Sequence, residues 1–230
     1  MPRKSFDREL KRLQGEVLQL GETVERAIIQ AVDALMHQDQ EASHQLMAGD
    51  RAINERRFAI EVDALTLIAR QQPLAGDLRT IFTMMEIAGE LERVADYAKG
   101  IAKVNLMIAD QPLLDPCAHF PEVAAKVRDM LQDAIQAFVN KDAALALAMP
   151  EREQEVDRLH NQVHSELLAL ITADDSTSDS AGRLFWVVHN LERAADRVLN
   201  ICERVIFDIT GEIVEMDVEE GATVALEGLS

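Results

Sequence analysis

Four acidic residues carry the most suggestive chemistry in the chain. Glu92 and Asp96 stand four apart in "ELERVADYAKGIA" (90–102), and Glu192 and Asp196 stand four apart in "NLERAADRVLNICE" (190–203), a hundred positions further on. On a helix of about 3.6 residues per turn, such pairs share one face. Like charges so placed repel by ~0.2–0.5 kcal/mol on an isolated helix. A cation between them would reverse that cost, and hard or borderline ions such as iron, manganese, magnesium, calcium or zinc accept oxygen ligands. One such pair is an ordinary solvated face. Two in corresponding contexts, with no Lys or Arg three or four positions from Glu92 or Glu192, favour ligands, whereas Asp96 does have Arg93 and Lys99 three positions to either side.

The elements that must position these acids are helices. Apolar residues recur at three and four spacing almost throughout, which predicts six of them, over 5–38, 40–71, 74–108, 120–140, 143–172 and 181–210. The halves repeat each other: "AVDALMHQDQEA" (31–42) matches "AIQAFVNKDAAL" (134–145), setting Asp39 over Asp142, Asp50 over Glu153 and Asn54 over Asp157. The fold class is therefore all-α, with two tandem antiparallel three-helix bundles related by internal duplication. We expect a first bundle over 1–110, a second over 119–210, and an acidic, flexible tail over 211–230.

The heptads place the acids beside the core. Met84, Ile87, Leu91, Val94, Ala98 and Ile101 form one seam, and Leu184, Val187, Leu191, Ala194, Val198, Ile201 and Val205 form its counterpart. Glu92 and Glu192 each come directly after a seam residue, and Asp96 and Asp196 extend that flank by one turn. Helix 40–71 has a seam at Ile53, Ile60, Ala64 and Leu67, flanked by Asp50, Asn54, Arg57 and Glu61. Helix 143–172 has Val156, Leu159, Val163, Leu167 and Leu170, flanked by Glu153, Asp157, His160 and His164. A hairpin turning near residue 72 brings Asp50 and Asn54 across from Glu92 and Asp96. One turning near residue 176 brings Asp157 and His160 across from Glu192, with His189 one turn before it.

Composition narrows the function. Of 230 residues, 48% are hydrophobic and 4% aromatic, and 23 basic against 41 acidic residues leave a net charge of −18. Such a surface repels phosphate backbones and anionic membranes, so nucleic acid is not an expected partner. The N-terminal "MPRKSFDREL" lacks the apolar stretch of a signal peptide, and no run of about 18 apolar residues could span a bilayer. Cys117 and Cys202 lack metal-type spacing and suit a reducing cytoplasm. No HExxH, P-loop, nucleophile elbow or Gly-rich loop occurs.

With these residues in view, the chain resembles the PhoU family, regulators of the phosphate-specific transport system. The likeness runs over roughly residues 3–210. It is carried by "FDRELKRLQGEVLQLGETVERAIIQAVDAL", "DRAIN", "RQQPLAGDLR" and both LER-x-A-D repeats. That family has an E/D-x-x-x-D motif in each bundle, met here by Glu92/Asp96 and Glu192/Asp196; Ala95 and Ala195 stand where many relatives have glycine. The resemblance implies metal ions in clusters on the bundle surface, iron or zinc ahead of manganese or magnesium. With the hairpin register added, the expected ligands are Glu92, Asp96, Asp50 and Asn54 in one half and Glu192, Asp196, Glu153 and Asp157 in the other. The resemblance also implies a cytoplasmic, homodimeric, non-catalytic protein restraining the phosphate-starvation response. Its implied partners are the ATPase subunit of a phosphate ABC transporter and a phosphate-sensing histidine kinase, with membrane contact only through them. A carboxylate-bridged metalloenzyme is the alternative, disfavoured because acids flanking a seam lie open to solvent.

Overall fold

The computed structural model describes residues 2–108 and 111–216. Among these, α1 (Pro2–Met36), α2 (Gln40–Gln71) and α3 (Ala75–Ile108) make the first half. A short 3-10 turn, Asp115–His119, leads into α4 (Phe120–Asn140), α5 (Ala143–Leu147), α6 (Met149–Ala173) and α7 (Ser178–Thr210).

The duplication is visible in how the chain turns. After α1, Gln38 adopts a left-handed conformation and the Asp39 carboxylate accepts the Ala42 N–H at 2.9 Å, capping α2. After α4, Lys141 is left-handed and Asp142 accepts the Leu145 N–H at 3.0 Å. The aligned aspartates thus do the same work in both halves. Beyond these caps the halves diverge. The expected continuous helix 143–172 is interrupted at Ala148, because Pro150 has no N–H to donate and its ring would meet the carbonyl four residues back. The last helix begins at Ser178 rather than 181, after a turn in which Asp174 accepts the Ser176 N–H.

The predicted seams are buried throughout α2, α3 and α7, and in α6 all but the half-buried Leu170. Yet α3 and α7 are buried over a wider arc than one seam, since Ala88, Ala95, Ala102, Val188, Ala195 and Cys202 are also buried. The reason is that α3 packs on α7 as well as within its own bundle, so both halves share one core. The two helices run antiparallel. Thr80 donates its hydroxyl to the buried Asp208 at 2.7 Å, Asn200 donates to Glu90 at 3.3 Å, Gly100 lies against Asn190, and Arg183 donates to the Met107 carbonyl. That register sets Ala95 level with Ala195. The two LER-x-A-D segments therefore meet back to back, and a small residue at each midpoint lets the helices approach closely.

The tail departs from expectation at its start. Gly211, at φ +81, terminates α7 in the left-handed conformation that glycine adopts freely, and the Met216 N–H then donates to Glu203 at 2.9 Å. Met216 is buried, so residues 211–216 fold back on the bundle. The remainder of the tail, 217–230, lies outside the described residues.

Candidate metal centres

Each half brings its expected acids to one outer face. In the first, Asp50 of α2 lies in the electrostatic field of both Glu92 and Asp96 of α3. Burial and then Asp96 push the Glu92 carboxyl above its ordinary range, with Arg57 partly offsetting them. Burial and then Asp50 do the same to Asp96. Lys99, to which the seam pattern assigned no role, reaches across from α3: its ammonium donates to Asp50 Oδ2 at 2.6 Å and stands 3.9 Å from Asp96 Oδ1. Asn54 does not reach across. Its amide turns back to the Asp50 carbonyl at 3.2 Å and to Oδ2 at 3.4 Å. Arg57 and Glu61 pair with each other along α2.

The second half is less compensated. Glu153 and Asp157 of α6 lie within the fields of Glu192 and Asp196 of α7. Glu153 departs from the expected outer flank, being 5% exposed. Burial, then the charge and hydrogen bond of Asp157, raise its carboxyl to about 8. Glu192 is raised to about 7 by burial and then by Asp196, with Arg193 working the other way. Its Oε2 atom is buried without a hydrogen-bond partner, although His189 Nδ1 is 3.3 Å away outside hydrogen-bonding geometry. Arg193 binds Asp196 at 2.9 Å and also donates to Tyr97 of α3. His160 and His164 lie one turn apart with ring centroids at 6.1 Å, and His164 packs on Phe185 at 4.7 Å. Burial lowers the pKa of His160, which keeps its imidazole neutral and able to donate a lone pair.

These donor sets are carboxylates with some imidazole, the chemistry that divalent and trivalent ions take, and an orphaned buried carboxylate oxygen is what a cation would satisfy. As the side chains stand, no group of three or more His, Cys, Asp or Glu among the described residues is gathered closely enough to hold an ion. The acids share a face and a field; ligation would require their rotamers to close on the ion. The cavity of about 650 Å³ between α1 and α2 is lined by residues such as Thr23, Arg26, Leu46 and Arg56, and by none of the eight candidate ligands.

Two three-helix repeats sharing one core, each with paired acids beside its buried seam, define a duplicated helical-bundle protein. The chain belongs to the PhoU family, whose PhoU domain matches residues 17–104 and again 120–205. It is 33% identical over 218 residues to the phosphate-specific transport system accessory protein PhoU homolog of Clostridium acetobutylicum, covering 94% of this chain and all of that one. The Zymomonas mobilis homolog of the same name is 32% identical over 209 residues, covering 91% and 88%. The crystal structure of the phosphate transport system regulatory protein PhoU from Streptococcus pneumoniae superposes with a TM-score of 0.85 at 30% identity, covering 91% of this chain and 99% of that one. These relatives are named as accessory and regulatory proteins, not as enzymes. No helix among the described residues is long and apolar enough to cross a membrane.

Proposed function

We propose that the protein is a non-catalytic regulator of phosphate uptake and of phosphate-starvation signalling, acting as a metal-binding adaptor. It would stand between the ATPase subunit of a phosphate ABC transporter and a phosphate-sensing histidine kinase in the cytoplasm, as a homodimer. The observation that supports this reading is the pair of acid clusters, one on each repeat, set on packed helices beside a shared core. Ligands on packed helices hold their geometry better than ligands on loops, and an open face can pass the cation's remaining positions to a partner group. The candidate carboxylates are Glu92, Asp96 and Asp50 in the first half, and Glu153, Asp157, Glu192 and Asp196 in the second; Asn54 joins only if it releases Asp50. A bound ion, iron or zinc first and manganese or magnesium next, would offset their mutual repulsion and offer a positive centre to anionic or carbonyl groups.

The relatives' role in phosphate-specific transport provides a cellular test. Deleting the gene is expected to derepress phosphate-starvation genes in phosphate-replete cells, measured by transcript abundance. Unchanged transcripts in high phosphate would count against the regulatory role.

A further inference from the structure

We propose that the two clusters are not equivalent: in the first, the Lys99 ammonium stands where a metal ion would stand, so metal loads the second cluster alone. The inference rests on the proposal that the acid clusters bind metal.

Lys99 bridges the helices whose acids would otherwise need a cation between them. Its Nζ donates to Asp50 Oδ2 at 2.6 Å and lies 3.9 Å from Asp96 Oδ1. The amide of Asn54 approaches the same Asp50 oxygen at 3.4 Å, so that oxygen is already shared by two donors. A metal entering here must expel the ammonium or take Asp50 while a positive charge remains within a few ångströms. Like charges that close repel strongly where water is partly excluded. Arg57 adds a second cation, paired with Glu61 and lowering Glu92.

None of these features carries over to the second half. At the position that matches Lys99, a hundred residues on, α7 has the buried Leu199, so no amine can reach across. Where α2 has Arg57 and Glu61, α6 has His160 and His164, so the fixed guanidinium of the first half is replaced by imidazoles whose nitrogens can act as donors to a metal. Beside this cluster stand Arg193 and, 3.3 Å from Glu192 Oε2, the imidazole Nδ1 of His189. The Arg193 guanidinium is divided between Asp196 at 2.9 Å and Tyr97. Charge compensation is therefore built into the first cluster. The second is left with a buried carboxylate oxygen on Glu192 that nothing hydrogen-bonds.

The test compares full-length wild type with Lys99→Met and with Lys99→Arg, each stripped of metal, supplied with Zn²⁺ and crystallised for anomalous diffraction at the zinc edge. Zinc content per chain in solution is measured alongside. In wild type and Lys99→Arg, zinc is expected beside Glu153, Asp157, Glu192 and Asp196 only. Lys99→Met should add zinc beside Asp50, Glu92 and Asp96 and raise the content about twofold. Equal occupancy of both clusters in wild type would overturn the inference while leaving the metal reading intact. Zinc confined to the second cluster even in Lys99→Met would overturn it too, since Lys99 would not be what excludes the ion. No zinc at either cluster in wild type would overturn both readings.

Discussion

Leu191→Ala is expected to destabilise the protein by ~2–5 kcal/mol, the cost of emptying a fully buried leucine site in a packed core. Glu192→Gln, one residue further along the same helix, is expected to stabilise metal-free protein at pH 8 by roughly 1–3 kcal/mol. The opposite signs come from where the two side chains point. Leu191 has no exposed surface and belongs to the seam that joins α7 to the rest of the core. Glu192 lies on the flank, where burial and Asp196 both disfavour its charge and one oxygen lacks a hydrogen bond. Glutamine keeps the shape of the protonated acid and removes the charge. Urea unfolding of the two variants beside wild type measures both effects. A destabilised Glu192→Gln in metal-free protein would show that the carboxylate is holding the fold together, which the geometry here denies.

The second large effect is on pH. Glu153 and Glu192, with an ordinary value of 4.5, are raised to about 8 and about 7 in the folded protein. Between those limits the folded state binds more protons than the unfolded state, so unfolding releases protons. The stabilisation is fully present below about pH 4.5 and is lost as pH rises through about 8. For the pair, whose titrations are linked through Asp157 and Asp196, the loss is on the order of 3–5 kcal/mol. Urea midpoints of chelator-treated protein should therefore fall steadily from pH 5 to pH 9, and Glu153→Gln should flatten the slope. A bound cation takes the deprotonated acids, so metal should flatten it as well. Midpoints that rise over this range in metal-free protein would mean that other groups govern the linkage.

Much of this was legible in the sequence because helical periodicity reports burial directly. The seams through Leu91 and Leu191, the hairpin register that sets Asp50 opposite Glu92, and the repeated breaks that align Asp39 with Asp142 all derive from spacing and residue type. What escaped depends on contacts between elements. The breadth of the buried arc on α3 and α7 is invisible from one helix at a time, because it arises where the two repeats pack on each other. Pro150 was a readable signal: a proline shortly past the Asp142 cap marks the break between α5 and α6. Lys99 is readable as a cation three residues from Asp96, but its bond to Asp50 needs the interhelical distance. The burial of Glu153 had no signal, since its aligned partner Asp50 remains half-buried. The polarity of the flank offers no hint that one of its acids turns inward.

The central claim is that the acids beside these seams are cation ligands. Its most direct test is the metal content of untagged protein purified without chelator, measured by elemental analysis for wild type and for Glu153→Gln/Glu192→Gln, with helicity followed by circular dichroism. Iron, zinc or manganese is expected in stoichiometric amount in wild type, and its loss is expected from the double variant with helicity unchanged. Wild-type protein that carries only trace metal, or a double variant that retains the full amount, would contradict the claim.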